Sequence, residues 1–150
     1  MKDLQKDEIT HVLETNYIGF LSFVWKNNPF VIPITFYFNK ADNSLISYSS
    51  EGHKVEAMRI SNYVSLCVSN ITSINNWQSV LVHGKFEELV GAHAKDQLRK
   101  FAQGIKKNIL IKENKRHQLI SDFSSKIMSR SQPIVFRIKI SQITGKSRAY

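Results

Sequence analysis

The amino-acid sequence predicts a mainly β, α+β fold: six antiparallel strands in one closed or nearly closed barrel, with a few short helices. Three observations carry that expectation. The chain has 150 residues and 42% hydrophobic content, enough to bury one core without metal or disulfide and too apolar for a disordered chain. Phe, Val, Ile, Tyr and Trp gather in short runs punctuated by Asn, Asp, Gly and Pro, the pattern of strands joined by turns. Neither an internal repeat nor a linker interrupts the sequence, so residues 1–150 read as a single domain.

Residues 7–16 open with acids and set Ile9, Val12 and Leu13 at helical spacing, which predicts a short amphipathic helix. Strands follow over 18–25 and 30–38, with Lys26, Asn27, Asn28 and Pro29 as the turn of a hairpin. A second turn at 39–43 leads into a strand over 45–49, so the first three strands read as a meander. Glu51, Gly52, His53 and Lys54 break the pattern, and Val55, Met58 and Ile60 give the next segment the apolar side of a short helix. Residues 64–71 and 79–89 return to strand. Ala94, Leu98, Phe101, Ala102 and Ile105 then make one apolar helical stripe, with Lys95, Arg99 and Lys100 turned to solvent. Residues 106–116 are polar and basic and are expected to be irregular, with a short helix over 118–128. Beyond Pro133, residues 134–143 alternate Ile134, Phe136, Ile138 and Ile140 with more polar positions, as a sixth strand does.

The charge is lopsided. Lys and Arg number 21 against 12 acids, a net +9, and residues 91–130 hold ten basic residues against three acids, or +7 of it. Such a cluster raises contact with nucleic-acid phosphates. Yet no helix-turn-helix spacing, zinc-finger ligand set or Arg/Gly tract accompanies it, and Phe101 and Phe123 are its only aromatic residues. A solvated helical surface is the preferred reading, and a reader of base sequence is not expected. Cys67 is the single cysteine, which excludes an intrachain disulfide and any Cys-based cluster within one chain. It is expected to be buried in its strand. His11, His83, His93 and His117 show no ligand spacing, so no metal site is predicted, and His83 is read as a surface or interface residue. Trp25 is read the same way. The hydrophilic first ten residues carry no secretory signal, and the apolar run 30–38 is too short to span a bilayer as a helix. A soluble, cytoplasmic protein in a reducing compartment is the expectation.

The segment most suggestive of chemistry is Tyr48, Ser49, Ser50, Glu51, Gly52, His53, Lys54. Hydroxyls at a strand end, a glycine and a lysine at a helix N-terminus can hold a phosphate, because backbone N–H groups and a full cation converge there. It lacks the second glycine and the Ser or Thr after lysine of a Walker loop. The same residues also suit a plain strand-to-helix turn with a capping serine.

Four segments come in an order and at spacings that resemble the pyridoxamine 5′-phosphate oxidase-like flavoproteins. They are Pro-Phe-Val-Ile-Pro-Ile-Thr-Phe at 29–36, Ser-Ser-Glu-Gly-His-Lys at 49–54, Asn-Trp-Gln-Ser-Val at 76–80 with Gly84, and Phe-Arg-Ile-Lys-Ile followed by Ile-Thr-Gly-Lys within 136–146. The nearest resemblance is to the branch of small FMN-binding proteins that includes the nitroimidazole-resistance proteins, and it spans about residues 10–148. It implies a six-stranded split β-barrel homodimer with FMN in a groove between the subunits. Pro33, Ile34, Thr35 and Phe36 would run along the isoalloxazine, Ser49, Ser50, His53 and Lys54 would surround the ribityl phosphate, and Trp77, Gln78 and Ser79 would approach from the fifth strand. His53 would lie near the flavin as a proton donor, or serve as a simple phosphate donor. Residues 29–38 lack the basic side chains with which the true oxidases hold a phosphorylated substrate, so pyridoxamine phosphate oxidation is not expected.

Three functions therefore compete: an FMN-dependent oxidoreductase fed by a reduced nicotinamide and passing electrons to a small acceptor, a flavin-binding or sensing protein without fast chemistry, and a phosphate-backbone binder.

Overall fold

The computed structural model describes residues 1–113 and 133–149. In chain order the elements are β1 (Lys2–Asp3), α1 (Lys6–Thr15), β2 (Ile18–Trp25), β3 (Asn28–Thr35), β4 (Tyr37–Asn39), β5 (Ser44–Ser49), α2 (His53–Ile60), β6 (Tyr63–Ser73), β7 (Asn76–Glu88), α3 (Gly91–Glu113) and β8 (Ile134–Ala149). The fold is the expected mainly β one, a split barrel of antiparallel strands. Among the described residues eight strands stand where six were expected, in the order β3-β2-β6-β7-β8-β5-β4 with β1 on β8.

Two corrections follow. The expected strand over 30–38 breaks at Phe36, whose backbone N–H leaves the ladder and donates to Tyr17 O at 2.9 Å. The two pieces go to opposite ends of the sheet, β3 beside β2 and β4 beside β5, so the first strands are two hairpins and not a meander. The path from β3 to β4 is open, so the barrel is split, as the resemblance implies, and keeps two edges. Pro29 and Pro33 lie in β3, and an edge strand is where a residue without N–H is tolerated.

The β2–β3 turn is tighter than expected. Lys26 and Asn27, at φ 49° and 64°, make it alone, the left-handed pair of a two-residue hairpin whose twist matches its strands. β8 is the spine. It pairs with β7 along its length, with β5 through residues 134–139 and with β1 at Lys146 and Ser147. β8 continues past the expected 134–143 through Ala149. Gly84 is required where β7 and β8 shift register, because a Cβ there would stand 2.5 Å from Lys139 O.

The main core fills the inside of the sheet with Leu21, Phe23, Leu66, Val82, Phe136 and Ile138, closed by α1 through Val12 and Leu13 and by α2 through Val55 and Met58. Ile60, expected on the apolar side of α2, is exposed instead. A smaller cluster lies under α3, where Phe101 and Ile105 meet Ile46, Leu89 and Val135. That is the helical stripe expected from the sequence, with Ala94, Leu98 and Ala102 at its margin.

α3 runs on to Glu113, through residues expected to be irregular. Polarity did not end it because contacts with the α1–β2 junction hold it. Asn108 Nδ2 donates to Asn16 O at 3.5 Å, Lys112 Nζ donates to Asn16 Oδ1, and Tyr17 bonds Glu113. The helix expected over 118–128 falls outside the described residues. Among those described, no helix is long and apolar enough to cross a membrane.

Candidate functional site

Where β3 and β5 part, a groove of about 340 Å³ opens, lined by Ile18, Pro33, Ile34, Thr35, Ser47, Tyr48, Ser49 and Lys54. Five residues expected at one site, Pro33, Ile34, Thr35, Ser49 and Lys54, thus come together. Its shape follows from local structure. Thr35 ends β3, and Ser47 Oγ on β5 donates to Thr35 O at 2.7 Å, pinning the two walls. Tyr48 packs edge-on against Phe101 at 5.3 Å and ties the groove to the cluster under α3. β5 then hands over to α2, which begins at His53 and sets Lys54 in its first turn.

The ends of the groove differ in chemistry. Ile18, Pro33 and Ile34 give an apolar wall, whereas Ser49, Lys54 and the start of α2 give hydroxyl, cation and helix N-terminus. α2 is held in place by Arg59, which pairs with Glu88 at 2.8 Å and with Glu51 at 2.5 Å. These bonds raise the Arg59 pKa further, and the bond from Arg59 holds the Glu88 carboxyl below its usual range against a smaller opposing push from burial.

Other expected site residues stand elsewhere. Phe36 is fully buried and turns its ring to the core, so only its backbone neighbours the groove. Ser50 is exposed on the loop, and Ser49 Oγ donates to Ser50 O at 2.9 Å. Gly52, not a serine, is the N-cap of α2, with no side-chain cap. His53 is exposed, with its ring edge-on to Phe30 at 5.2 Å and Trp25 at 5.5 Å. Trp25 is accordingly half-buried, packed against the core.

Trp77, Gln78 and Ser79 lie at the start of β7, three strands from β3, and do not line their own chain's groove. Ser79 accepts from Ser69 Oγ at 3.1 Å, and Trp77 carries the Arg148 guanidinium 6.0 Å over its ring. Ser47 and Ile18 line the groove without having been expected there, and Tyr48, which opens the segment singled out in the sequence, lines it too. The signal for Tyr48 was its place directly before Ser49, and Ile18 is the first residue of its strand.

Beside the groove the outer face of the sheet carries exposed apolar residues. Ile18 and Phe20 are each 51% exposed, Val31 63% and Leu81 37%. They lie in register, Phe20 opposite both Pro33 and Cys67, and Cys67 opposite Leu81. Cys67 is therefore half-exposed on this face, not in the core, with Sγ near the hydroxyls of Ser79 and Ser69. His83 lies exposed on the same strand face as Leu81.

An open antiparallel barrel with a strand-to-helix groove at its split defines a structural class, and comparison with known proteins identifies the class. The family model described as pyridoxamine 5′-phosphate oxidase matches residues 5–147, and the chain belongs to that family. Among solved structures it is similar to a FAD-binding protein, mll6688, from Mesorhizobium loti, at 26% identity and TM-score 0.76, over 99% of this chain and 97% of that one. It shares its fold with the FAD-binding protein of Mycobacterium smegmatis, at 16% identity and TM-score 0.62, over the whole of both chains. It also shares it with a candidate 5-nitroimidazole antibiotic resistance protein from Bacteroides thetaiotaomicron, at 18% identity and TM-score 0.69, over 96% and 86% of the chains. A curated relative, the uncharacterized protein RA0666 of Rhizobium meliloti, is 29% identical over 86 residues, which span 57% of this chain and 56% of that protein.

Proposed function

We propose that the protein is a homodimeric FMN-binding oxidoreductase that accepts hydride from a reduced nicotinamide and passes electrons to a small acceptor. The observation that carries the reading is the two-ended groove, apolar at Ile18, Pro33 and Ile34 and cationic at Lys54. That polarity matches a ligand with a flat apolar ring system at one end and a phosphate at the other. Family membership and the FAD-binding structural neighbours support a flavin.

In this reading the backbone of Pro33, Ile34, Thr35 and Phe36 offers hydrogen-bonding groups to the ring edge. Lys54, the Ser49 and Ser50 hydroxyls and the first N–H groups of α2 hold the phosphate. When bound, FMN supplies the two-electron chemistry, and the protein supplies orientation and electronics. His53 gives a proton to the reduced acceptor, its ring aimed by the edges of Phe30 and Trp25.

A groove of about 340 Å³ walled on one side by an exposed apolar sheet is half of a site. A second copy docked on Ile18, Phe20, Val31 and Leu81 would cover the sheet, wall the groove and bring the partner's Trp77, Gln78 and Ser79 towards the flavin.

The purified protein is expected to be yellow and to release a compound with the mass of FMN. A colourless protein that takes up no added FMN would refute the reading. Turnover of a nitroaromatic with NADH or NADPH then separates an enzyme from a flavin carrier. His53→Gln should lower that turnover at least about tenfold, as loss of a general acid does, while leaving FMN affinity nearly unchanged.

A further inference from the structure

A second, larger cavity lies elsewhere. It measures about 620 Å³ and lies between α1, β4 with the residues after it, and α3. Its size falls within the range of pockets that take small organic molecules. Its walls are of two kinds. Lys40, Lys100 and Lys107 line it against one acid, Glu14, while Tyr37 and Ile111 supply apolar surface, with Leu13 and Phe38 buried behind them. Lys100 and Lys107 are two helical turns apart and so share a face of α3. Lys100 also reaches Asp96 at 3.4 Å, an exposed pair that leaves its charge available to a neighbour.

The cavity is built into the packing. Gly104 lets α3 lie directly on Tyr37, since a Cβ there would come within 2.3 Å of the ring. Buried amides join α3 to the other two walls. Asn39 Nδ2 donates to Gln97 Oε1 at 3.0 Å, and Asn108 Nδ2 donates to Asn16 O. A groove whose walls are already fixed loses little ordering entropy when it binds. Part of the basic charge of residues 91–130, which the flavin groove does not use, therefore lines a formed cavity.

We infer that this groove is a second binding site, for a small organic anion whose phosphate or carboxylate head meets Lys40, Lys100 and Lys107 and whose apolar body lies on Tyr37 and Ile111.

The test is calorimetric titration of the full chain, first saturated with FMN to close the flavin groove, with 1-naphthyl phosphate and separately with inorganic phosphate. The expected result is one saturable site per chain for 1-naphthyl phosphate, with inorganic phosphate binding at least about tenfold more weakly for want of the apolar body. Lys100→Ala with Lys107→Ala should weaken the naphthyl ester about tenfold or more, the scale of lost charge-assisted bonds, with FMN titration unchanged. Gln103→Trp, at an exposed position on the groove wall, should fill the cavity and abolish binding without disturbing the core. Absence of saturable binding, equal binding by the double variant, equal affinity for the two probes, or displacement of FMN by the probe would each overturn the assignment.

Discussion

The two faces of the sheet formed by β2, β3, β6 and β7 both carry large apolar residues, yet one is sealed and the other open. On the inner face Leu21, Leu66, Val68, Val80 and Val82 are fully buried. On the outer face, in the alternate positions of the same strands, Phe20 is 51% exposed and Val31 63%. An antiparallel sheet with one side in water normally alternates apolar and polar. Here the alternation sorts residues onto faces without telling which face meets solvent, because the outer face has the composition of an interface. The groove opens beside that face, so the covering of the sheet and the completion of the site become one question.

Substitutions on the two faces should have opposite signatures. Leu66→Ala on the inner face leaves a cavity and should cost about 2–5 kcal/mol, read as a fall in thermal midpoint; a neutral result would mean that the core can collapse around it. Phe20→Asp on the outer face should leave the chain folded and release a single 17.3 kDa species in light scattering, and an unchanged dimer would mean that another surface joins the copies. Lys54→Ala should weaken FMN by about 1–3 kcal/mol, the worth of a charge-assisted bond, without changing the mass of the assembly. Unchanged FMN titration would remove Lys54 from the site.

The smallest expected effect is on acid stability. Arg59 depresses the Glu88 carboxyl in the folded protein. A depressed carboxyl stabilises the fold above its unfolded pKa of about 4 and loses that contribution as pH falls through its folded value. Glu88→Gln should therefore flatten the acid limb of stability against pH. The change should stay below about 1 kcal/mol, because the pair is solvent-screened. A limb as steep as that of the unaltered protein would assign acid sensitivity to other carboxylates.

The strand runs, the α3 stripe of Phe101 and Ile105 and the five groove residues from Pro33 to Lys54 were legible because each depends on local pattern or on segment order. What escaped depends on distant partners. The break at Phe36 is enforced by Tyr17 O, nineteen residues away, and the extension of α3 to Glu113 by the α1–β2 junction. Cys67 was expected inside because Leu66 and Val68 flank it, and alternation alone could not tell that its face is the open one. Ser47 reached the groove through a bond to Thr35 O that only the tertiary fold creates.

Native mass spectrometry of the purified full chain tests the central claim most directly, because one spectrum reads both assembly and cofactor. The account predicts a species of two 17.3 kDa chains carrying one FMN per chain. A lone chain without flavin, or a dimer whose bound mass is that of FAD, would contradict it.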